Sequence, residues 1–580
     1  MEENKSISIS RLIFKEYIFK IKSMKRIIIP TLIFIFIGAY TEVLLSEIIK
    51  DIPDKFHDQD KISKLILHLA IVSIIYSFSS ELGGYLVSNP LQKVFSKSMK
   101  DCLESYINLE YSTFKKVGVG KILKIMERKS TATGEIICLL FIQIIPIPVS
   151  FFFLSISLIR NIHYMVYLII LAHVLLYIYF TFKITDYRTT QRKASNEELN
   201  EANNISNEIL CNYEGVKSYN KEEYEINRFR RQLGKALGPL INLWQNLYVL
   251  DMVQKSVLTF MDIFVCCYFY VNRNNGSITN KETVFQYFLV SNLIRKKFSN
   301  LGSIYGNLMI MTTNVKTSII PEKENMEGEE MEYNNEIQFI DVSIRTNKKE
   351  ILSKLNLTIN KGDKIALIGS NGSGKTTFIR VLLGFYDYRG SIKIDGKELY
   401  KISKRHLRNS ISFVPQDSCL MNETIKENIC YGEKFSEEEI FKVSEKYKVY
   451  DSFARLEHGF LTKIGERGKN LSGGEKQKVA LIRGAIRNKK IFILDEPTAA
   501  IDREAENDIF SSLLSDKDTT VLTIIHNLDL LKNFNKVLHF SNESAILYDS
   551  FEEFNSKNVN QIDFYKHFIL SSDQLDEDYS

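Results

Sequence analysis

A series of long apolar runs in the first half of the chain constrains the fold most. The clearest, residues 27–49, reads "IIIPTLIFIFIGAYTEVLLSEII" and is long enough to cross the hydrocarbon core of a bilayer as a helix. Comparable runs lie near residues 65–87, 136–159 and 164–182. One buried helix of a soluble protein can imitate such a run, but four in succession predict a membrane domain.

Two weaker apolar runs, near residues 252–271 and 284–311, bring the expected number of transmembrane helices to six. Lysine and arginine are concentrated between the second and third runs and between the fourth and fifth, whereas the loops near Asn161 and Asn274 are short and carry few cations. Because basic loops stay on the cytoplasmic side, two long loops are expected on the side of the C-terminal half. Residues 1–26 are basic and amphipathic but begin with Glu2 and Glu3, which favours an interfacial helix over a cleavable presequence.

The sixth apolar run contains three adjacent cations, Arg295, Lys296 and Lys297. A charge that faces lipid in mid-bilayer costs about 2.5–3.5 kcal/mol or more, so three neighbours that all face lipid are excluded. Two interpretations remain. Either the cations line a water-filled cavity between helices, which we favour, or the span ends early and they lie at a membrane surface.

At 580 residues the chain is too long for a single core, so more than one domain is expected. The segment 317–335 turns polar and acidic and predicts a linker between a membrane domain at 1–316 and a second domain at 336–580. The formal net charge of +5 is small for this length and argues neither for nor against nucleic acid. The seven cysteines show no metal-type spacing and are expected to be reduced thiols.

In the second half, an apolar strand "KIALI" is followed by "GSNGSGKTTF" at residues 369–378. This is a complete phosphate-binding loop of the G-x-x-x-x-G-K-[ST] type, in which the glycines let backbone N–H groups turn toward phosphates. Lys375 is expected to reach the β- and γ-phosphates, and the Thr376 hydroxyl to bind Mg²⁺. The predicted nucleotide contacts of this loop are Gly369, Ser370, Asn371, Gly372, Ser373, Gly374, Lys375, Thr376 and Thr377.

A second apolar strand, "KIFILDEP" at residues 490–497, ends in two acids. Asp495 is placed to bind Mg²⁺ at the strand end. Glu496, the next residue, is the candidate general base that polarises the attacking water. Strand-end acids alone are common, but together with the phosphate loop they complete a nucleotide site.

The segment "LSGGEKQKVA", residues 471–480, resembles the signature of the ATP-binding cassette family. The family's other motifs follow its order across about residues 336–530: "FVPQDSCLMNETIKENI" with Gln416, "TKIGERG" with Glu466, "TAAID" with Asp502 and "TIIHN" with His526. The resemblance implies an α/β P-loop NTPase domain joined to an exporter-type α-helical membrane domain with six transmembrane helices. ATP and Mg²⁺ are the implied cofactors.

The resemblance also implies roles for individual residues. Ser472, Gly473 and Gly474 open a helix whose N-terminus would point at the γ-phosphate of an ATP held by another subunit. Gln416 would sense Mg²⁺ and the attacking water, His526 would bind the γ-phosphate, and Asp502 would couple the two sites. Since the chain has one cassette and one membrane domain, it is expected to act as a dimer, and as a homodimer because every catalytic element is present.

The chain departs from the family pattern where an aromatic ring usually stacks on adenine. Thr346 stands there, beside Arg345, so either the base contact is modified or Arg345 or a neighbour covers the base. "TAAID" also replaces the more usual Ser-Ala-Leu-Asp but keeps the acid. We expect an active ATPase; the alternative is a regulatory cassette without turnover, which Glu496 and His526 oppose.

Three stretches of the membrane half, residues 140–151, 184–225 and 300–308, resemble the mitochondrial ATM-type half-transporters. Those proteins export a glutathione-linked sulfur or iron–sulfur precursor. The family's glutathione-binding R-T-x-x-R pair matches Arg188 and Arg192, whose i, i+4 spacing places both guanidinium groups on one helix face, suited to clamp carboxylates.

The expected substrate is therefore an anionic thiol compound, in a cavity to which Arg295, Lys296 or Lys297 also contributes. The resemblance further implies the inner membrane of a mitochondrion or a mitochondrion-derived organelle. The alternative within the same architecture is an exporter of lipid, peptide or drug-like substrates. A soluble cassette ATPase of DNA repair or translation is excluded by the six spans, so we expect no nucleic-acid partner.

Overall fold

The computed structural model describes residues 13–56, 58–273, 281–316, 323–346, 349–541 and 543–557, and nothing is described for most of the expected N-terminal interfacial helix or for the C-terminal tail. The chain divides into two compact units. The first unit comprises Met1–Asn108 and Val117–Pro321, and the second comprises Leu109–Lys116 and Glu322–Ser580.

The described residues between 13 and 316 are almost entirely helical, as apolar runs without a neighbouring strand require, since a helix satisfies its own backbone hydrogen bonds. Two short π-helical stretches lie at Ile13–Ile18 and Leu139–Ile144. The α-helices are α1 (Lys22–Lys50), α2 (Ile52–Lys55), α3 (Gln59–Ile107), α4 (Tyr111–Val117), α5 (Val119–Cys138), α6 (Pro146–Asn161), α7 (Tyr164–Cys211), α8 (Tyr213–Ser218), α9 (Glu222–Val271), α10 (Lys281–Phe298) and α11 (Leu301–Lys316).

Six helical paths match the six expected spans: α1, α3, α5 with α6, α7, α9, and α10 with α11. Within the described residues, four of them are long and apolar enough to cross a membrane by length and composition alone: Lys22–Lys50, Gln59–Ile107, Val119–Asn161 and Tyr164–Cys211. The other two carry charged side chains in their apolar stretch, among them Asp262 on α9 and Arg295 on α10.

The two long basic segments that were expected as loops are helical instead, and that expectation was wrong. α3 continues to Ile107 and α7 continues to Cys211, far beyond their apolar parts. Side chains hold the polar extensions of α7 and α9 together: the Arg228 guanidinium lies 2.8 Å from the Glu208 carboxylate, and the Gln232 amide donates to Glu198 and Glu201. These contacts stabilise helices that the apolar pattern alone does not reveal.

The sixth path is broken, although one span over 284–311 was expected. α10 ends at Phe298 and α11 begins at Leu301. The Phe298 carbonyl accepts a hydrogen bond of 2.6 Å from the Tyr177 hydroxyl of α7, which satisfies a backbone oxygen at the break. A Cβ on Gly302 would lie 2.8 Å from a Leu250 methyl, so α11 starts in close contact with α9.

The second unit contains two sheets and a set of short helices. One sheet has the strand order β2-β1-β4-β5 and the other has the order β10-β9-β3-β8-β7-β6. The strands are β1 (Glu336–Thr346), β2 (Lys349–Asn360), β3 (Lys364–Gly369), β4 (Arg389–Ile394), β5 (Lys397–Glu398), β6 (Ile411–Val414), β7 (Ile491–Asp495), β8 (Thr520–Ile524), β9 (Lys536–Ser541) and β10 (Ser544–Tyr548). The α-helices are α12 (Lys375–Leu382), α13 (Lys404–Ser410), α14 (Ile425–Cys430), α15 (Glu437–Lys446), α16 (Tyr450–Ala454), α17 (Gly473–Ala485), α18 (Arg503–Leu514) and α19 (Phe551–Lys557), with 3₁₀ turns at Leu399–Lys401, Gly459–Leu461, Glu466–Gly468 and Leu528–Asn533.

The parallel core of the larger sheet explains why distant motifs meet. β3, β8 and β7 are neighbours and parallel, with Leu367 opposite Ile524 and Ile524 opposite Asp495. Their carboxyl ends therefore lie at the same edge of the sheet, which is where ligands bind in open α/β sheets. The phosphate loop follows β3, the two acids end β7, and His526 follows β8.

The described part of the segment expected to be a linker, residues 323–335, packs with the second unit. Met331 and Tyr333 are buried in its core. Glu324 is 8% exposed, accepts two hydrogen bonds of 2.7 and 2.8 Å from Arg408, and lies 3.2 Å from Lys404. Burial by itself would raise the pKa of Glu324, but Arg408 and then Lys404 outweigh it, and the pKa lies below its ordinary value.

α4 belongs largely to the second unit, although its neighbours in sequence belong to the first. The Tyr111 ring stacks on Phe385 with centroids 4.7 Å apart and meets Tyr386 edge-on. The Arg380 guanidinium lies over the Tyr111 ring, 5.9 Å from its centroid. A short piece of the membrane half of the sequence is thus a packed element of the second unit.

Candidate functional site

The phosphate loop has the backbone that its glycines predict. Gly369, Gly372 and Gly374 adopt φ values of 144°, 81° and 106°, in the region that residues with a Cβ rarely occupy. A Cβ on Gly369 would lie 2.4 Å from the Phe540 carbonyl oxygen, and one on Gly374 would lie 2.8 Å from an Ile351 methyl. The loop is therefore fixed both by its own dihedral angles and by the contacts around it.

Lys375 folds back over the loop. Its ammonium donates to the carbonyl oxygens of Gly369 at 2.7 Å and Ser370 at 3.1 Å. The residue is 6% exposed, and burial lowers the pKa of its ammonium against the opposing effect of Glu496 and Asp495. The Ser373 hydroxyl in the same loop is buried and has no hydrogen-bond partner among the described residues. A loop with a poorly solvated cation and an unpaired hydroxyl fits an oxygen-rich anion.

Thr376 and Asp495 are brought together as the motifs predicted. The Thr376 hydroxyl lies 3.4 Å from a carboxylate oxygen of Asp495, which is 3% exposed. Burial, followed by repulsion from Glu496, raises the pKa of Asp495 above its ordinary value. A carboxylate destabilised in this way gains from a nearby cation.

Glu496 is held between the two other predicted catalytic residues. One of its carboxylate oxygens accepts a 2.6 Å hydrogen bond from the Gln416 amide, and the other lies 2.6 Å from Nε2 of His526. Its backbone is left-handed, with φ of 51°, a conformation that costs roughly 1–3 kcal/mol for a residue with a side chain. The strained backbone sets the direction of this carboxylate, and strain of this kind concentrates at functional sites.

These side chains line one cavity of about 390 Å³. Of the residues proposed from the sequence, the structure gathers here Asn371, Gly372, Gly374, Lys375, Thr376, Thr377, Gln416, Glu496 and His526. Ile351 of β2 also lines the cavity, and sequence reasoning missed it because no motif marks it. Gly369, Ser370 and Asp495 do not line the cavity but contact its lining residues Lys375 and Thr376, and Ser373 belongs to the same loop without lining the cavity.

The signature residues Ser472, Gly473 and Gly474 do not line this cavity. They begin α17, where the Ser472 hydroxyl and the Glu475 carboxylate form a capping box: each side chain binds the other residue's backbone N–H, at 3.3 and 2.8 Å. A Cβ on Gly474 would lie 2.7 Å from the Ala500 carbonyl, so the glycine lets the start of α17 approach the segment after β7.

Asp502 also lies outside the cavity. Its side chain caps α18 by accepting a 2.8 Å hydrogen bond from the Ala505 backbone. Glu506, one turn further on, accepts from the Thr498 hydroxyl at 2.6 Å and from the Asn527 amide at 2.9 Å. Glu506 thus ties the segment after β7 to the residue next to His526, a role that sequence analysis missed; the i, i+4 spacing of two acids after "TAAI" was the one available signal.

The structure describes only part of the expected adenine contact, because nothing is described for the Thr346 side chain. The Arg345 guanidinium lies 2.9 Å from the Glu350 carboxylate across the β1–β2 hairpin. Arg345 lines a separate cavity with α4 residues, and the phosphate cavity does not include it.

In the first unit, the two arginines expected to bind substrate lie on α7 outside its most apolar part. Arg188 is half-buried and Arg192 is exposed. Nε of Arg188 is buried and has no hydrogen-bond partner among the described residues. Arg188 also interacts electrostatically with Arg192 and with Asp251 of α9. An under-coordinated guanidinium beside a second one remains available to an anion.

The three cations of α10 have three different environments. Arg295 forms an ion pair with Asp262, whose other oxygen accepts 2.7 Å hydrogen bonds from Tyr287 and Ser291. Lys297 lies 2.6 Å from Glu42 of α1, and Lys296 is exposed. Sequence analysis weighed only a cavity against a membrane surface and missed the compensation of two of these charges by acids on other helices.

Both halves of the chain are similar to known protein families. Residues 352–499 match the family model for the ABC transporter domain, and residues 26–293 match the model for the ABC transporter transmembrane region. A Xenopus tropicalis protein named ATP-binding cassette sub-family B member 6 is 30% identical over 72% of this chain and 50% of its own length. A Neurospora crassa protein named as the mitochondrial iron–sulfur clusters transporter atm1 is 28% identical over 75% of this chain and 62% of its own.

The chain therefore spans between half and two thirds of these two relatives. Among solved structures, a bacterial Atm1-family ABC exporter with ATP bound aligns with a TM-score of 0.83, over 92% of this chain and 96% of that one, at 23% identity. That alignment shows the shared fold across both units. With models of the ABC transporter domain and of the ABC transporter transmembrane region that together match most of its length, the chain belongs to the ABC transporter family.

Proposed function

We propose that two copies of this chain form an ATP-driven exporter that moves an anionic, glutathione-linked sulfur or iron–sulfur precursor across a membrane. One observation supports the ATP-driven part above all others: Gln416, Glu496 and His526, from three separate segments, meet within hydrogen-bonding distance beside the phosphate loop. A candidate general base with two polar partners beside a phosphate loop supports hydrolysis of a bound nucleotide.

In the proposed reaction, the glycine loop and Lys375 bind the β- and γ-phosphates in place of the carbonyl oxygens that Lys375 now contacts. Glu496 accepts a proton from the attacking water. His526 turns from Glu496 to the γ-phosphate, and Gln416 turns toward the water. Both side chains hold Glu496 between them in the structure, so each needs only to exchange one hydrogen-bond partner.

Mg²⁺ fits the oxygen donors at this site. The Thr376 hydroxyl and the Asp495 carboxylate are hard ligands within 3.4 Å of each other, and burial together with Glu496 raises the pKa of Asp495 despite Arg380 and Lys375, so a bound cation would stabilise its charge. We propose that Thr376, Asp495 and Gln416 hold the ion. When bound it neutralises charge on the phosphate oxygens.

Dimerisation is proposed because the signature residues lie away from the cavity of their own chain. Ser472, Gly473 and Gly474 form the exposed N-terminus of α17, a ready site for the γ-phosphate of a second copy. Asp502, which caps the neighbouring α18, then lies next to that interface and couples the two sites. Each nucleotide joins the loop of one protomer to the signature of its partner.

The substrate proposal rests on the Arg188 and Arg192 pair, on the available Nε of Arg188, and on relatives that carry iron–sulfur transporter names. Two guanidinium groups one turn apart are suited to the carboxylates of a glutathione-linked anion. Lys296 is the exposed cation of the α10 group. Arg295 and Lys297 would have to leave Asp262 and Glu42 to take part. By the same resemblance we propose the inner membrane of a mitochondrion or a mitochondrion-derived organelle.

ATPase measurements in lipid nanodiscs test the proposal, with oxidised glutathione as the probe. Wild type is expected to be stimulated, whereas Arg188→Ala with Arg192→Ala is expected to keep its basal rate and lose the stimulation. Lys193→Ala, a cation next in sequence on the same helix, is the matched control and is expected to respond as wild type does.

Equal stimulation of the double variant would overturn the glutathione-linked substrate while leaving the ATP-driven exporter intact. A chain that hydrolyses no ATP in any state would overturn the whole proposal. If the double variant fails only with the probe, neutralising residues 295–297 then shows whether α10 contributes.

A further inference from the structure

A second cavity, of about 170 Å³, lies wholly among the membrane helices of the first unit. Its walls come from α1, α3, the segment around Pro146 and the end of α10, and neither Arg188 nor Arg192 lines it. The polar side chains that matter are Thr31, Glu42, Tyr76, Ser150 and Lys297. It is distinct from both the nucleotide site and the arginine pair.

The cavity has one charge of each sign on its wall. Nζ of Lys297 lies 2.6 Å from one Glu42 oxygen, and the Tyr76 hydroxyl lies 3.4 Å from the other. Glu42 is only 6% exposed. Two charges removed from water in this way gain little net stability from each other, so the pair is weak evidence for a purely structural role. Because Glu42 and Lys297 have opposite charges, the pair gives the cavity wall no net charge but a strong local dipole.

Two hydroxyls on the same wall have nothing to bind. Thr31 and Ser150 are each 1% exposed, and neither hydroxyl oxygen has a hydrogen-bond partner among the described residues. Serine and threonine in apolar helices ordinarily satisfy themselves on the carbonyl of the preceding turn. A buried hydroxyl without a partner is destabilised, so each of these gains if it rotates onto a polar group placed beside it.

Glycines keep the cavity open. A Cβ built on Gly83 or on Gly84 of α3 would meet nothing within 4 Å, so the space in front of both is free. Gly in a helix interior is less favourable than alanine. The space in front of these two glycines would accept a side chain, and its emptiness is what gives the cavity its volume.

We propose that this cavity binds a zwitterionic group, one that carries a primary ammonium and an anionic oxygen a few ångströms apart. The ammonium pairs with Glu42 and the anion with Lys297, so that four charges alternate in sign, and the two free hydroxyls bind the remaining polar atoms. A ligand of one net charge would bring an uncompensated charge into a poorly hydrated site, because the two wall charges already balance each other. The volume is below the roughly 300 Å³ at which drug-sized sites begin, which limits the group to the size of a small amino acid or a phospholipid head.

Binding of serine and of two analogues, each of which lacks one of its charged groups, tests the charge requirement. Radiolabelled serine has both charges, ethanolamine lacks the carboxylate and 3-hydroxypropionate lacks the ammonium. With full-length protein in nanodiscs of phosphatidylcholine and phosphatidylglycerol, serine is expected to bind at least tenfold more tightly than either analogue. A parallel arm adds phosphatidylethanolamine to the nanodiscs and counts retained lipids by native mass spectrometry, which separates a soluble source of the zwitterion from a lipid source.

Gly84→Leu places a side chain in the open space at the cavity wall, keeps Glu42 and Lys297, and replaces a poor helix former by a good one, so folding is retained. It is expected to weaken binding at least tenfold. Gly234→Leu, at a helical glycine that also has open space but lies outside the cavity, is the matched control and is expected to bind as wild type does. Glu42→Gln with Lys297→Met is expected to abolish the preference for serine.

Binding from either source supports the proposal if it shows these responses. The proposal is overturned by three probes that bind within twofold of one another, by binding that survives Gly84→Leu, or by no binding from either source. Arg188→Ala with Arg192→Ala is expected to leave this binding unchanged, so failure here and failure of the glutathione-linked substrate are separate results.

Discussion

Charged side chains meet in both units, but for different reasons. Around Glu496 in the second unit, the partners Gln416 and His526 lie at the carboxyl ends of parallel strands, where the topology places them. Around Asp262 in the first unit, the partners Tyr287, Ser291 and Arg295 come from a neighbouring helix. In the reaction that we propose, the first cluster exchanges partners for a ligand, whereas the second compensates a charge inside an apolar unit.

The two clusters differ in how far the spacing of residues in the sequence predicts their contacts. A motif whose residues are fixed by a local backbone conformation, such as the glycine loop, is readable from the sequence. A compensating pair is fixed only by how two helices pack, so the partner of Lys297 is Glu42, on the first helix of the chain. The cations of α10 indicate that their charge must be compensated, but the sequence does not show which acidic residues compensate it.

Removing the carboxylate at the centre of the nucleotide cluster should have the largest effect. Glu496→Gln is expected to lower the ATP turnover rate about 10²–10⁴-fold, as loss of a general base does, and to accumulate ATP-bound dimers. ATPase assays and light scattering with ATP and Mg²⁺ measure both. Glu504→Gln, an exposed acid eight residues away on α18, is the control. Turnover close to wild type in Glu496→Gln would remove Glu496 from the reaction.

Breaking the ion pair between Arg295 and Asp262 should instead lower the free energy of unfolding and leave ATP hydrolysis in place. Arg295→Met leaves Asp262 without its cation and is expected to destabilise the protein by about 3 kcal/mol, at the low end for buried pairs because both side chains are partly exposed. Adding Asp262→Asn to it should recover most of the loss. Thermal unfolding in nanodiscs measures the coupling, and exposed Lys296→Ala should change nothing. A double variant no more stable than Arg295→Met would contradict the pairing.

Substitutions at two equivalent helix caps of the second unit distinguish an effect on ATP turnover from an effect on stability. Ser472 begins α17 and Ser436 begins α15 with the same capping box. Each Ser→Ala change is expected to cost about 1 kcal/mol of stability. Only Ser472→Ala should also reduce ATP turnover, since only that helix N-terminus is proposed to face a nucleotide. Similar turnover in both variants would argue against the composite site.

The smallest expected effect depends on pH. Arg408 and Lys404 lower the pKa of Glu324 despite its burial. Its contribution to stability is therefore complete above the unfolded-state pKa of about 4.3 and is lost as the pH falls through the lower folded-state value. The difference in thermal midpoint between wild type and Glu324→Gln should shrink as the pH falls from about 6 to 3.5. Exposed Glu332→Gln should show no such trend; a constant difference for Glu324→Gln would contradict the ion pair.

Much of the nucleotide site was predictable because its residues are set by strand ends, glycine dihedral angles and one helix start. Ile351 and Glu506 were not, since a side chain that lines a cavity or joins two loops leaves no local pattern. In the first unit the number of helical paths followed from hydropathy. The helical extension of α7 and the break after Phe298 did not, because contacts between helices stabilise them: the Gln232–Glu198 hydrogen bond in the first case and the Tyr177 hydroxyl in the second.

The place of α4 affects how the cassette can be studied on its own. The polypeptide passes between the two units at three points, after Asn108, after Lys116 and after Pro321. A soluble fragment that begins after the last membrane helix would leave Phe385 and Tyr386 without the ring of Tyr111 and would expose aromatic surface to water. Appending residues 109–116 to such a fragment through a flexible tether is the direct way to restore that surface.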